Sequence, residues 1–179
     1  DVVKALKNQK EIYAVVAPAI TGQFGPGVTV GQVRSAFLQL GFKGMVEAAC
    51  GADAVTVHEA NEFVERMEEG QGYMTNSCCP GFINFIEVMF PDQKDKISST
   101  VSPMIATGRL IKKAKPEAVV VFVGPCIAKK TEITNPSLKD AIDYVMTFEE
   151  MAALFDAYNI DPEGCQSVDS NDASLYGRG

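Results

Sequence analysis

The sequence has no tryptophan and a single histidine, and its basic residues are outnumbered by acidic ones. Sixteen Lys and Arg stand against 23 Asp and Glu, which gives a formal net charge of -7. Binding to nucleic acid needs clustered Lys and Arg against the phosphates, and here the basic residues are scattered among carboxylates. We therefore expect no nucleic-acid partner, and small molecules or other proteins are the favoured partners.

Long hydrophobic runs are also missing from the sequence. No apolar run approaches the roughly 20 residues that a membrane-spanning helix requires. The N-terminal stretch DVVKALKNQKEIYAVV lacks the basic segment, apolar segment and cleavage site of a secretory signal. The sequence predicts a cytoplasmic location without a membrane segment.

The number of cysteines is small and odd, which argues against a disulfide framework. Five cysteines cannot all pair, and 46% hydrophobic residues are enough for a core without covalent cross-links. The cysteines are better interpreted as thiols or metal ligands.

The length of the chain allows one compact domain. The sequence begins at Asp1 without a methionine and stops in the turn-like DASLYGRG, where an element should begin. We expect residues 1–179 to be a single partial domain, truncated at its C-terminus.

Strand and helix patterns alternate along the chain. The runs IYAVVAPA, AVVVFVGPC and YVMT are typical of buried strands. Helical spacing of apolar residues occurs in VGQVRSAFLQLG, VHEANEFVERMEEG, FINFIEVMF and EEMAALFDAYN. The alternation predicts an α/β fold with a mainly parallel sheet flanked by helices. Sites in such sheets gather where strands end, which selects the loops APAITG, CGAD, TNSCCPG and GPCIAKKTE.

The adjacent pair Cys78 and Cys79 has two interpretations. Free cysteines are among the most buried residues, so the pair can be two small apolar side chains in a buried strand end. Spacing alone does not decide between this interpretation and a reactive pair. Pro80 and Gly81 favour a reactive or metal-bound thiol, because they open a helix whose N-terminal amides stabilise a thiolate. Cys126 follows a strand in the same way, yet two cysteines do not complete a four-ligand iron-sulfur or zinc site.

Five ordered motifs resemble one family. TNSCCPGF resembles the Thr-Ser-Cys-Cys-Pro-Gly-Trp signature of the iron-iron hydrogenases, and VGPCIAKKTE resembles their Met-Pro-Cys-x-x-Lys-Lys-x-Glu signature. The segments VVAPAITGQFG, LQLGFKGMVEAACGADAVTVHEANEF and ISSTVSP are similar to the same family in its order. The resemblance implies most of the first lobe of a two-lobed catalytic domain and the start of the second.

The resemblance also implies a cofactor and roles for the thiols. Family members carry a 4Fe-4S cluster joined through a cysteine sulfur to a two-iron centre with carbon monoxide and cyanide ligands. By this resemblance Cys79 and Cys126 are ligands of the 4Fe-4S cluster, and Cys78 delivers protons to the two-iron centre. The third signature, which supplies two more cysteines, is absent, so the chain alone is expected to be inactive and not to assemble the complete cofactor.

Further residues are assigned to the cofactor pocket by the same resemblance. Lys129 would bond a cyanide ligand, whereas Lys130 is expected at the surface. The remaining candidates that line the pocket are Ala17, Pro18, Ala19, Met104, Gly124 and Pro125. Gly124 stands where the best-known members have Met, and Met104 where they have Gln. These changes and Phe82 in place of Trp indicate a divergent subgroup.

A proton relay is the last feature that the resemblance implies. Glu59, Glu62, Arg66 and Ser98 match the family's relay, with Cys78 at its inner end. Glu59 and Glu62 lie three residues apart, so both project from one helix face. An acidic helix of this kind is usually a solvated face, and only the match to the whole relay favours catalysis.

Three residues have no matching role. Cys50 is expected in the core and Cys165 in a loop, and His58 is expected at the surface.

The function implied is interconversion of dihydrogen with protons and electrons. The expected partners are ferredoxin or another electron carrier, and hydrogenase maturation proteins. A non-catalytic iron-sulfur scaffold or a hydrogen sensor is the second hypothesis. It ranks lower because scaffold relatives tend to lose the shuttle cysteine and the relay, although the changes at Gly124 and Phe82 suit a sensor. A metal-free thiol redox protein using Cys78 and Cys79 is the third.

Overall fold

The structure, a computed structural model, describes residues 2–8 and 10–169; DASLYGRG lies outside them. Within the described residues the elements are α1 (Val2–Lys7), β1 (Ile12–Val16), α2 (Val30–Leu40), β2 (Gly44–Glu47), α3 (Ala48–Glu68), α4 (Pro80–Met89), α5 (Pro103–Ala114), β3 (Val119–Val123), α6 (Ala128–Glu132), β4 (Tyr144–Met146) and α7 (Phe148–Ala157). Short 3-10 turns occupy Pro18–Ile20, Pro91–Lys96 and Pro136–Leu138. No described helix is long and apolar enough to cross a membrane.

The four strands form one parallel sheet in the order β2-β1-β3-β4. β1 is central and pairs with β2 and β3, with Val16 opposite both Glu47 and Val123. β3 then pairs with β4, with Val123 opposite Met146. The α/β fold and the parallel sheet predicted from the alternating pattern are therefore confirmed. The predicted strand β3 is buried along its whole length, as a strand covered by helices on both faces should be.

The core lies between the sheet and its helices. α2 begins at a capping box, in which Thr29 and Gln32 exchange backbone and side-chain hydrogen bonds. It ends at Gly41, whose φ of 109° is the left-handed conformation that favours glycine. Phe37 packs edge-on against Phe42 and Phe155, so the apolar faces of α2 and α7 meet over the sheet.

α3 differs from its prediction in extent and in its exposed face. The sequence pattern indicated a helix from Val57 to Gly70, but α3 begins earlier, at Ala48. Val57, Phe63 and Val64 are 46 to 55% exposed, so the predicted apolar face is not packed against the described residues. The helix is instead held by its first turns, where small residues allow close contact with α5.

Gly51 shows how tightly these two helices approach. A Cβ atom added at Gly51 would lie 2.2 Å from Thr107 Oγ1 and 2.7 Å from the Pro103 carbonyl oxygen. A real Cβ does not tolerate such distances, so the site requires glycine. This contact fixes α3, which carries both Glu59 and Glu62, against the N-terminal half of α5.

Four elements were not predicted from the sequence: α1, β2, α5 and α6. β2 is only four residues long and contains Gly44, which weakens a periodic signal. Two predicted strands are shorter than expected, because IYAVVAPA ends as a strand at Val16 and AVVVFVGPC at Val123. Pro18 and Pro125 interrupt the pairing that would extend them.

Candidate functional site

The carboxyl ends of β1 and β3 lie side by side and form the floor of the site. The backbone N–H of Ala17 donates to the Val123 carbonyl at 2.9 Å, and that of Gly124 donates to the Met146 carbonyl at 3.1 Å. Ala17 is buried, whereas Pro18, Ala19 and Pro125 are exposed at this edge. The structure therefore brings the two predicted pocket segments together.

Gly124 is required by its neighbours at this edge. A Cβ atom at residue 124 would lie 2.8 Å from the Phe122 ring and 3.0 Å from the Cβ of Ala17. Any larger side chain requires the buried Phe122 ring to move. The glycine that replaces the methionine of the best-known members is thus matched to the packing of this chain.

The segment before Cys78 is not a strand of the sheet. The prediction that both cysteine motifs follow sheet strands is therefore wrong for the Cys78 motif. Its only regular pairing in the described chain is an isolated bridge between Thr75 and Ile97. Pro80 opens α4 as predicted, and Cys79 is its N-cap residue. The Cys79 sulfur accepts from the Phe82 backbone N–H at 3.4 Å and is exposed.

The two cysteine motifs meet through their helices. α4 contacts α6, and a Cβ at Gly81 would lie 3.8 Å from Cys79 Sγ and 4.0 Å from the Ala128 Cβ. Cys126, like Cys79, is exposed. The two motifs therefore approach each other through α4 and α6, and both thiols are accessible.

Lys129 connects the motifs directly. Its ammonium donates to the Cys78 carbonyl at 2.9 Å and to the Glu132 carboxylate at 2.7 Å. Lys130 points elsewhere and pairs with Glu150 in a half-exposed ion pair. The two adjacent lysines therefore have different environments, as predicted.

The thiol of Cys78 is half-buried. Burial raises its pKa, the charge of Glu59 raises it further, and Lys129 and the backbone partly oppose these effects. A raised pKa keeps the thiol protonated near neutral pH. Cys78 is thus a thiol rather than a thiolate at rest.

Glu62 is the centre of a hydrogen-bond network. Its carboxylate accepts from Ser98 Oγ at 2.6 Å, from the Ser99 backbone N–H at 2.9 Å and from Thr100 Oγ1 at 3.3 Å. Arg66 completes the set with an ion pair at 2.6 Å. Burial opposes ionisation of Glu62, but the bonds from Ser98 and Ser99 and the charge of Arg66 outweigh it and lower the pKa to about 2.

Glu59 joins the network through the residue before the thiol. The Ser77 backbone N–H donates to the Glu59 carboxylate at 3.3 Å, and the Ser77 hydroxyl donates to the Thr100 carbonyl. Ser77 is 7% exposed, so this connection is shielded from water. The four predicted relay residues and Cys78 therefore lie in one connected region.

Other predicted residues lie away from this network. Met104 is fully buried in the core, on α5. Cys50 is half-buried in α3, not fully in the core, and His58 is exposed as expected. Cys165 lies outside the described helices and strands as predicted, but it is buried and bonded by Gln39 and to the Asp161 carbonyl.

A groove of about 720 Å³ opens beside the relay. Its walls come from α4, from residues 97–102 and from residues 128–138. Hydroxyl-bearing residues, including Ser77, Ser98, Ser102, Thr131 and Ser137, alternate with apolar residues in the lining. The groove is therefore a mixed polar and apolar space that opens beside Ser98 of the relay.

Comparison with known families decides the relationship of this chain. Residues 10–178 match the family described as iron only hydrogenase large subunit, C-terminal domain. The chain belongs to this family. It is 33% identical over 196 residues to the NADP-reducing hydrogenase subunit HndD of Solidesulfovibrio fructosivorans, covering 94% of this chain and 34% of that protein.

Two further proteins resemble this chain, one in sequence and one in fold. The chain is 30% identical over 132 residues to the cytosolic Fe-S cluster assembly factor NAR1 of Meyerozyma guilliermondii, covering 66% of this chain and 25% of that protein. A variant of the apo [FeFe]-hydrogenase HydA1 from Chlamydomonas reinhardtii has the same fold, with a TM-score of 0.83 and 24% identity, over 97% of this chain and 52% of that one. The chain thus spans about a third of the length of HndD and about half of HydA1, and it is similar both to hydrogenases and to an assembly factor.

The donor set of this hydrogenase-family chain fits half of an iron-sulfur site. No group of three His, Cys, Asp or Glu side chains able to hold a metal is found among residues 2–8 and 10–169. Two exposed thiols, Cys79 and Cys126, lie at the ends of contacting segments near a largely enclosed cation, Lys129. Thiolates are the ligands that iron-sulfur clusters use, and a four-ligand site needs two more of them.

Three residues of the site lie within the quoted motifs but were given no role by sequence reasoning. Ser77 and Thr100 connect the two carboxylates, and Glu132 pairs with Lys129. Glu132 had a readable signal, because it follows Lys129 at helical i,i+3 spacing. Ser77 and Thr100 had none, since their contacts depend on how residues 72–79 and 97–102 fold against each other.

Proposed function

We propose that this chain is part of an iron-iron hydrogenase that interconverts dihydrogen with protons and electrons. The observation that carries the proposal is the placement of Cys78: a protonated thiol beside an exposed candidate ligand, at the inner end of a connected carboxylate and hydroxyl network. A scaffold for an iron-sulfur cluster needs ligands but has no use for a protonated thiol coupled to a relay. The shared family and the relatedness to HndD support the same proposal.

The cofactor would be held from two sides. Cys79 and Cys126 would supply two thiolates to a 4Fe-4S cluster, and the remaining two ligands would come from other parts of the intact protein. When bound, the cluster and its two-iron centre supply the redox chemistry with dihydrogen. Around it, Ala17, Gly124 and Pro125 would form the close backbone edge, Pro18 and Ala19 the adjacent turn, and the buried Met104 would back the pocket from α5.

Lys129 and Cys78 are the groups of this chain that face the reaction. The Lys129 ammonium has one N–H donor left after its bonds to Glu132 and the Cys78 carbonyl, and that donor would bind an anionic ligand of the cofactor. Cys78 would hold a proton at Sγ and pass it inward or outward. Its raised pKa favours return to the protonated form after each transfer.

The relay would carry the proton between Cys78 and solvent. Glu59 lies next to the thiol segment, and Ser98 bonds to Glu62, which is held by Arg66 at the outer end. Because the pKa of Glu62 is about 2, its carboxylate stays ionised and a proton does not rest there. Glu62 would act as a fixed acceptor that orients Ser98, and Ser98 would transmit the proton.

The partners follow from the reaction. The proposed electron partner is ferredoxin or another carrier, and maturation proteins would install the two-iron centre. We also propose that residues 1–179 form one part of a catalytic domain and that the protein acts in the cytoplasm.

Infrared spectroscopy with iron analysis on the intact, anaerobically matured protein tests the proposal. Bands of iron-bound carbon monoxide and cyanide that shift under dihydrogen are expected. A Cys78→Ala variant should keep its iron and lose turnover, since the thiol is a proton carrier and not a ligand. Iron and sulfide without those bands would support a scaffold, as the relatedness to NAR1 allows, and loss of iron in Cys78→Ala would make Cys78 a ligand.

A further inference from the structure

Glu132 forms the most enclosed ion pair of the candidate site. Its carboxylate lies 2.7 Å from Lys129 Nζ, with side chains only 10% and 13% exposed. The neighbouring pair of Lys130 and Glu150 is equally close, but its side chains are 41% and 46% exposed. Two adjacent lysines are thus paired with one glutamate each. One pair is shielded from water, and the other is exposed to it.

The enclosed pair also reaches the thiol segment. Lys129 divides its donors between Glu132 and the Cys78 carbonyl, 2.9 Å away. Within the dipeptide Ser77-Cys78, the Cys78 carbonyl thus binds Lys129, and the Ser77 N–H donates to Glu59. The backbone that carries Cys78 is therefore held between a carboxylate of α3 and an ammonium of α6.

Removal of Glu132 would leave the Lys129 ammonium shielded and without its counter-charge. Such a group turns toward water when it can, and the groove lined by Glu132, Thr131 and Ala128 offers water access. Shielded ion pairs add little net stability compared with apolar side chains of equal volume. The main consequence of this pair is therefore the direction in which the ammonium points.

We propose that Glu132 is a positioning residue. It holds the Lys129 ammonium on the Cys78 carbonyl and so fixes both the remaining N–H donor of Lys129 and the peptide beside the thiol. This geometry does not depend on the proposed hydrogenase function. The identity of the ligand that the third N–H of Lys129 binds rests on that proposed function. None of the roles assigned above to the relay or to the metal ligands includes Glu132.

Competitive acylation of lysines, read by peptide mass spectrometry on the intact protein without its cofactor, tests the geometry. In Glu132→Gln we expect Lys129 to be acylated about 10-fold faster, because an enclosed pair protects its amine far more than an exposed one. Glu132→Ala should give at least the same increase, and Glu132→Asp a smaller one. Lys130, in the same peptide, should keep its rate in all three variants.

Glu150→Gln is the matched control. It breaks the exposed pair, so Lys130 should change by about twofold or less and Lys129 not at all. An unchanged Lys129 rate in Glu132→Gln would overturn the proposal. A variant that unfolds is recognised because Lys112, which is bonded to the Ala118 carbonyl, would also be acylated faster. In that case Glu132→Asp decides: faster acylation of Lys129 with an unchanged Lys112 supports the proposal, and an unchanged Lys129 rate contradicts it.

Infrared spectra of the matured protein test the functional half. Glu132→Gln should shift the cyanide bands while iron content stays the same, and present but unshifted bands would contradict the role of Glu132 toward the cofactor. If the unmodified protein shows no carbon monoxide or cyanide bands, the proposed hydrogenase function fails. The acylation result then still decides whether Glu132 positions Lys129.

Discussion

The site has a relay region (Glu59, Glu62, Arg66 and Ser98) and a thiol region (Cys78, Cys79 and Cys126). The two regions differ in how many hydrogen bonds this chain provides to their polar groups. Glu62 receives bonds from four neighbours, and its side chain is 15% exposed. Cys79 and Cys126 are exposed, and the Cys79 sulfur accepts one weak bond, from the Phe82 backbone N–H at 3.4 Å. The difference is between a satisfied polar network and two open thiols, which under the proposed function are a proton path and half of a metal site.

The largest expected effects come from one cysteine variant and one glutamate variant, which should affect iron content and turnover differently. Cys126→Ala in the intact, matured protein should lose essentially all cluster iron, because a thiolate ligand is removed. Glu62→Gln should keep its iron and lose about 100-fold in turnover, the scale of a disturbed proton transfer. Iron analysis and hydrogen evolution measure the two effects. Retention of iron in Cys126→Ala would show that Cys126 is not a cluster ligand.

Acid should weaken the relay region through Glu62. Its pKa falls from an ordinary 4.5 to about 2 in the folded chain, so its ionisation stabilises the fold at pH values above 4.5. That contribution is lost as the pH falls toward 2, and with solvent screening of the carboxylate allowed for it amounts to about 1 to 2 kcal/mol. Urea unfolding of this chain between pH 7 and pH 2 measures it.

The matched variant for the acid prediction is Glu62→Gln, which cannot ionise. Its free energy of unfolding should be lower at pH 7 and should depend less on pH. The difference between the two chains should narrow as the pH falls. A constant difference would mean that the network around Glu62 does not lower its pKa.

Glycine substitutions should show the same contrast in packing. At Gly51 an added Cβ would meet Thr107 Oγ1 at 2.2 Å, so Gly51→Ala should destabilise the chain by about 2 kcal/mol through overpacking. At Gly81 the nearest atoms are 3.8 and 4.0 Å away, and Gly81→Ala should stabilise α4 by about 0.5 kcal/mol. Thermal unfolding of both variants measures the difference, and equal effects would contradict the tight α3 and α5 contact.

The sequence predicted the fold better than it predicted the network. β3 is a continuous apolar run and α7 has a clear helical period, so both were readable from local pattern. Short β2 and the first turns of α3 were missed, because four residues with a glycine give no period. The apolar face of α3 was read correctly as a pattern, yet Val57 and Val64 remain exposed, since a pattern does not say what covers a face.

The residues of the site were predicted by resemblance rather than by physical reasoning. Nothing in the spacing alone places Ser98 beside Glu62, 36 residues earlier, because that contact depends on the packing of α3 against the segment before α5. Ser77 and Thr100 were missed for the same reason. The roles of the predicted site residues remain predictions.

Ser77 tests whether the two regions are mechanically joined, with the smallest expected effect. Its hydroxyl donates to the Thr100 carbonyl in a shielded position, so Ser77→Ala should lower the free energy of unfolding by about 1 kcal/mol. Thr134 provides the control, because its hydroxyl donates to the Thr131 carbonyl at 2.7 Å from an exposed position. Thr134→Ala should cost less than about 0.5 kcal/mol, since water replaces the lost bond.

Hydrogen exchange of residues 77–82 adds the decisive readout for Ser77. If the hydroxyl tethers the thiol segment to the relay, Ser77→Ala should speed exchange there and around residues 98–100, because each segment loses its connection to the other. Thr134→Ala should leave both segments unchanged. Faster exchange in the thiol segment alone would mean that the relay is rigid by itself, and that only the cysteine side of the site depends on the connection.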